Sequence, residues 1–215
     1  MIFSEKRKSS LYTKRKNIYG FMWCFYNKIT FGNFGNHSVL YRPQKITNKR
    51  YIHIGDYVSF DKDLRMEAIC SKRTQKFTPH LKIGNYSHAE QRCQIFCANS
   101  VSIGEHVIIS SDVYITDVVH EFADITLDIL EQPLNFGTTV IGDYSFIGTG
   151  VKIIKPVCIG AHAIIGANSV ITKDVPPYCV AAGSPARIIR KYDFKTKRWE
   201  PLYTKESYEI FTGNF

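Results

Sequence analysis

Seven histidines, His37, His53, His80, His88, His106, His120 and His162, are the side chains of this 215-residue chain best suited to carrying a proton near neutral pH. An unperturbed imidazole titrates at about 6.5, so it can take a proton from a hydroxyl and return it within one cycle. His120 has acidic company: Asp117 stands three residues before it and Glu121 directly after. A carboxylate there can orient the ring, meet the hydroxyls of a bound molecule, or cap a backbone corner, and the local sequence does not choose. Cysteine chemistry is the weaker candidate. Of six cysteines only Cys93 and Cys97 lie close, with three residues between them and no second pair to complete a zinc site. In a chain without secretory features they read as small buried hydrophobes.

The cations sit at the two ends. Of the net charge of +9, residues 1–30 supply +6 (seven Lys/Arg, one acid) and residues 183–215 supply +3 (seven against four), which leaves the middle neutral. Any anion this protein meets is met by its ends. The first segment mixes Lys14-Arg15-Lys16 and Lys28 with Tyr19, Phe21, Trp23, Phe25 and Tyr26. That composition suits a helix capping a core and, in addition, contact with an anionic inner-membrane leaflet. No apolar run reaches the roughly 18 residues of a membrane span. No apolar stretch with a small-residue cleavage site follows the basic N-terminus, so a cytoplasmic protein, at most peripheral to the inner membrane, is expected. The basic ends carry no recognised nucleic-acid module.

What must position the candidate residues is a repeat. From Ile141 an aliphatic residue returns every six positions, at Ile147, Ile153, Ile159, Ile165 and Ile171. A small residue follows each by four: Ser145, Val151, Val157, Ala163, Ser169 and Val175. The same template fits upstream from Ile103, Ile83 and Ile54, and more weakly from Phe34, with restarts stamped Ile-Gly-Asp, Ile-Gly-Asn or Ile-Gly-Glu. Residues i and i+4 point to one face of an extended segment. Glycine after the aliphatic is expected to give the corner a positive φ. Three six-residue strands make an 18-residue triangular coil, and stacked coils bury ladders of aliphatics, Ile141 over Ile159, Ile147 over Ile165, Ile153 over Ile171.

Counting in 18s gives an all-β, parallel β-helix of about six coils over 34–176, with an N-terminal basic, aromatic segment at 1–33 and a tail at 177–215. Two insertions, 72–82 and 121–140, must leave the prism as loops, where function tends to sit. In this frame His37, His53, His106 and His162 fall in outward phases and read as solvated surface groups. His80 lies in the first insertion and His88 at a strand end. His120 closes the fourth coil directly before the second insertion.

The stretch from Val140-Ile141-Gly142-Asp143 to Ile171-Thr172-Lys173-Asp174-Val175-Pro176, with the ending Ala182-Gly183-Ser184-Pro185-Ala186-Arg187-Ile188-Ile189, resembles the hexapeptide-repeat acyltransferases over roughly 34–192. The resemblance implies a left-handed β-helix, against the usual right-handed crossover, and a homotrimer with each active site between two subunits. It implies acetyl-CoA as co-substrate, no metal, and a carbohydrate acceptor. Thr116-Asp117-Val118-Val119-His120 and Gln132-Pro133-Leu134 are similar to the bacterial surface-polysaccharide branch, which O-acetylates capsule, O-antigen or exopolysaccharide units, some containing sialic acid.

Carried over residue by residue, the family pattern makes His120 the catalytic base with Asp117 beside it. It places the pantetheine arm along Gly148, Thr149, Ala167, Thr172 and Lys173, and the phosphates at Arg187 and Arg190, whose forks suit phosphate oxygens. Phe146 stands where the family commonly has Trp at the acyl site, and Lys155-Pro156 replaces a usual Pro-Gly corner. A carbonic anhydrase of the same fold would need two ligand histidines five residues apart, and no pair here has that spacing. The runner-up is an N-acyltransferase acting on a nucleotide-linked amino sugar, which shares the histidine and CoA. A non-catalytic scaffold is the third reading, opposed by His120, Lys173 and the tail.

Overall fold

The aliphatic of each hexapeptide points inward, and the structure, a computed structural model, shows what that builds. It describes residues 26–202. The cap and membrane contact expected of residues 1–25, and the end of the tail at 203–215, lie outside the described residues. Parallel strands of two to four residues form three faces of a prism. The first face runs Asn33–Phe34, Ile52–Ile54, His80–Ile83, Ser100–Ile103, Thr138–Ile141, Cys158–Ile159. The second runs from Val39–Leu40 to Ile164–Ile165, and the third from Lys45–Thr47 to Val170–Ile171. Ile141 pairs with Ile159, Ile147 with Ile165 and Ile153 with Ile171, the register the repeat predicts. These residues and their counterparts upstream are buried in one core.

The prism continues past the expected end of the coils. Val175 bridges Ile159, and Cys179–Gly183 adds a parallel strand to the second face, pairing Val180 with Ile164 and Ala181 with Ile165. The tail then turns back as antiparallel strands Ala186–Asp193 and Arg198–Pro201. At the other end residues 26–30 are helical and Phe31 enters the core, its ring 5.2 Å from that of Phe34.

The corner glycines need a different explanation from the one the sequence suggests. Among the described glycines only Gly150 and Gly183 have positive φ. Gly84 and Gly142 are required for space: a Cβ at either would come closer than 3.0 Å to the backbone of the next coil. The left-handed residue comes two positions later and carries a ring. His37, Tyr57, Tyr86, His106, Tyr144, His162 and Tyr178 all have φ between 54 and 61. Their rings stack consecutively at 4.7 to 5.0 Å along this first corner. The histidines expected as isolated surface groups are thus, for His37, His106 and His162, rungs of one column. Positive φ is costly for such side chains; offset stacking offsets it by about 0.5–1.5 kcal/mol per pair.

At the second corner Arg42, Asp63, Arg92 and Asp112 take the left-handed conformation in turn, and Arg92 makes a two-bond pair with Asp112 at 2.7 Å. All departures from the 18-residue period fall at the third corner, between third and first faces.

Candidate active site at the third corner

Both insertions leave at this corner and fold onto each other. The first is a hairpin of Ser71–Lys72 and Gln75–Lys76, and its last residues already belong to the strand His80–Ile83. The second begins as Val118–His120, pairs antiparallel with Leu134–Phe136, and rejoins the prism at Thr138–Ile141. His120 therefore lies on a short strand leaving the coil, opposite Leu134. A small hydrophobic cluster supports this platform: Phe77, Ala98 and Leu134, with Ile69 and Val118 against them. Gln75 ties hairpin to loop in both directions, donating to the Leu134 carbonyl at 3.2 Å and accepting from its N–H at 2.7 Å. Gln132 is buried and staples the loop from within, donating to the Asp124 carbonyl at 2.9 Å and accepting from its N–H at 3.1 Å.

At the centre, the Lys72 ammonium stands 3.2 Å from His120 Nδ1 and donates to the Gln132 carbonyl at 3.1 Å. His120 itself is exposed. Lys72 is the residue sequence reasoning missed; only its place in the inserted segment marked it.

Asp117 does something else. Its carboxylate is fully buried and accepts from the backbone N–H groups of Ala98 (2.8 Å), Asn99 (2.8 Å) and Ser100 (2.6 Å). Of the roles open to it, the geometry is that of the corner cap. Cys97 lies 3.6 Å from the same carboxylate; burial, then that negative charge, pushes its thiol pKa up. Burial likewise holds the Cys93 thiol up at about 12. Both are inert buried thiols at neutral pH.

The remaining candidates separate by corner. Thr172 and Lys173 lie on the third corner in the last coil, the same edge as His120. Phe146 points outward from the second face, 40% exposed, in a row with Ile108 and Ile164. Gly148, Thr149 and Ala167 form the second corner beyond it, and Arg187 and Arg190 lie exposed on the strand that continues the second face, opposite Ala182 and Val180. In a triangular prism the third corner is opposite the second face. One chain therefore does not bring Phe146 and His120 to one place; two copies side by side can.

The loop over the corner exposes large apolar side chains, Phe122 at 71%, Ile125 at 96% and Leu130 at 67%. A polar cavity of about 350 Å³ lined by Gln44, Asp63, Arg92, Gln94, Asp112 and Lys152 lies along the second corner. Within it Arg92 pairs with Asp112, and Lys152 donates to the Asp112 backbone carbonyl at 2.7 Å. Among the described residues no group of three or more His, Cys, Asp or Glu is placed to hold a metal ion.

Comparison with known proteins adds to this geometry. Residues 138–173 match the family model described as bacterial transferase hexapeptide, six repeats. The Escherichia coli K12 protein WbbJ, assigned to lipopolysaccharide biosynthesis as an O-acetyltransferase, is 31% identical over 77% of this chain and 84% of its own length. Among solved structures, a maltose O-acetyltransferase from Clostridium difficile 630 is 27% identical with a TM-score of 0.55, covering 78% of this chain and 73% of that one. The N-acyltransferase AntD of Bacillus cereus, in complex with dTDP and 3-hydroxybutyryl-CoA, shares the fold at a TM-score of 0.63 and 19% identity, covering 88% and 92% of the two chains.

Proposed function

The chain belongs to the bacterial transferase hexapeptide family of acyltransferases, and from that membership we propose that it transfers the acetyl group of acetyl-CoA to a sugar hydroxyl of a bacterial surface polysaccharide, with His120 as general base. The observation that carries this reading is the convergence of both insertions on one exposed histidine. Two segments that the repeat does not need are held together by Gln75 and Lys72 around His120 and its strand.

Transfer from a thioester needs a base for the hydroxyl proton and a slot for the donor; the thioester is already activated, so direct attack suffices. In this reading the corner of Gly148, Thr149 and Ala167, where Thr149 and Ala167 are exposed, receives the pantetheine arm through backbone groups. Arg187 and Arg190 present guanidinium forks to the phosphates. Thr172 and Lys173 line the same groove from the neighbouring subunit's side. A second copy in a homotrimer would bring its Phe146 to the acyl site and cover the exposed Phe122, Ile125 and Leu130.

WbbJ favours a surface-glycan hydroxyl as acceptor, while AntD keeps the amine of a nucleotide-linked sugar as the second reading. Turnover of acetyl-CoA against bacterial surface glycans and nucleotide-linked amino sugars, with NMR of the product, separates ester from amide. His120→Ala should lower turnover by about 10²–10⁴, the usual contribution of a general base, with CoA affinity close to wild type. A loss below about tenfold would move the base elsewhere.

A further inference from the structure

Lys72 reaches His120 across 48 residues of sequence, and the chemistry of the contact is asymmetric. An ammonium has three N–H donors and no lone pair, so at 3.2 Å it is the donor and Nδ1 the acceptor. A neutral imidazole that accepts at Nδ1 carries its hydrogen on Nε2. The single lone pair on the ring able to take a proton is thus the one the ammonium covers. The ammonium is itself held by the Gln132 carbonyl at 3.1 Å, on a hairpin that Gln75 ties to Leu134. Glu131 is paired with Arg73, and both oxygens of Asp117 are engaged with backbone N–H groups.

We propose that Lys72 is a positioning residue that fixes His120 as its Nε2–H tautomer and covers the Nδ1 lone pair against water until an acceptor hydroxyl takes its place. The proposal rests on the reading of His120 as the base. Water is the rival nucleophile for a bound thioester, and an uncovered imidazole would activate it as readily as a sugar hydroxyl. When the acceptor displaces the ammonium, its hydroxyl proton passes to Nδ1 and its oxygen bonds to the thioester carbonyl carbon. The C–S bond breaks, and the imidazolium returns a proton to the departing thiolate, leaving an ester and a free thiol. Lys72 keeps its bond to Gln132 throughout, so the displacement is short.

Two measurements on the full-length protein test this. In protein labelled with ¹⁵N-histidine, the neutral His120 ring of the wild type should show the Nε2–H pattern. Lys72→Met, which keeps the chain length and removes the donors, should give a mixture of tautomers, and Lys72→Arg should restore the single form. Thiol release from acetyl-CoA without any acceptor should rise at least about tenfold in Lys72→Met, a part of the 10²–10⁴ a positioned base supplies. That rise should vanish in the double variant with His120→Ala. An unchanged tautomer, or acceptor-free hydrolysis at or below the wild-type rate, overturns the proposal. The tautomer readout requires no turnover, so it stands apart from a failure of His120→Ala to lower transfer, which would instead remove the base assignment. Lys72→Gln provides the same two readouts should the Met variant fold poorly.

Discussion

Three backbone N–H groups converging on one carboxylate make Asp117 a piece of the corner. Hydrogen bonds to a buried charge are among the stronger ones, about 1.5–3 kcal/mol each against loss of the partner. Asp117→Asn keeps the shape, weakens the acceptor and turns an NH2 toward donors. It should lower stability by about 1–3 kcal/mol in chemical denaturation while the folded fraction keeps near wild-type turnover. A tenfold fall in kcat with unchanged stability would restore Asp117 to the imidazole. The sequence left three roles open because spacing along the chain does not say which way a corner side chain turns. Lys72 was illegible for a related reason. Its approach to His120 depends on how two insertions fold together, and neither follows the repeat.

At the scale of elements, the period announces itself because each strand needs one inward aliphatic and each coil repeats the same three strands. The ladders Ile141–Ile159, Ile147–Ile165 and Ile153–Ile171 were readable for that reason. Outward positions answer to neighbours above and below, at distances the period alone does not evaluate. The stacked corner rings are one case and His53 is another. His53 lies on the first face in register with Lys82, its ring 4.8 Å from that of His80. Burial, then His80, then Lys82 hold its pKa below the ordinary imidazole value. A depressed folded-state pKa means the unfolded chain binds the proton more readily, so this contribution to stability is present above about pH 6.5 and fades as pH falls through the folded value. Thermal melts from pH 7.5 to 5 should show the wild type losing more stability than His53→Gln. Parallel pH profiles for the two proteins would refute the assignment.

Across the whole molecule, the candidate residues divide between the third corner on one side and the second face with the second corner beyond it on the other, and this division predicts a shared site. His120→Ala and Ala167→Trp should each be inactive, the first lacking the base and the second blocking the groove. In a closed three-fold ring, random co-assembly gives a site its intact pair with probability one-half times one-half, so about a quarter of wild-type activity should return. Mixed trimers without recovery would place both groups of residues in a single subunit's site. The three corners also differ in what they tolerate. Tyr57 still stacks on Tyr86 beyond the first insertion, and His106 on Tyr144 beyond the second. Length added at the third corner leaves the ring column unbroken. Heritable change can therefore remodel the acceptor-facing corner, by lengthening, shortening or exchanging its two segments, without re-solving how the chain folds. Relatives that modify different sugars would then diverge fastest at one edge of a prism whose other two edges stay the same.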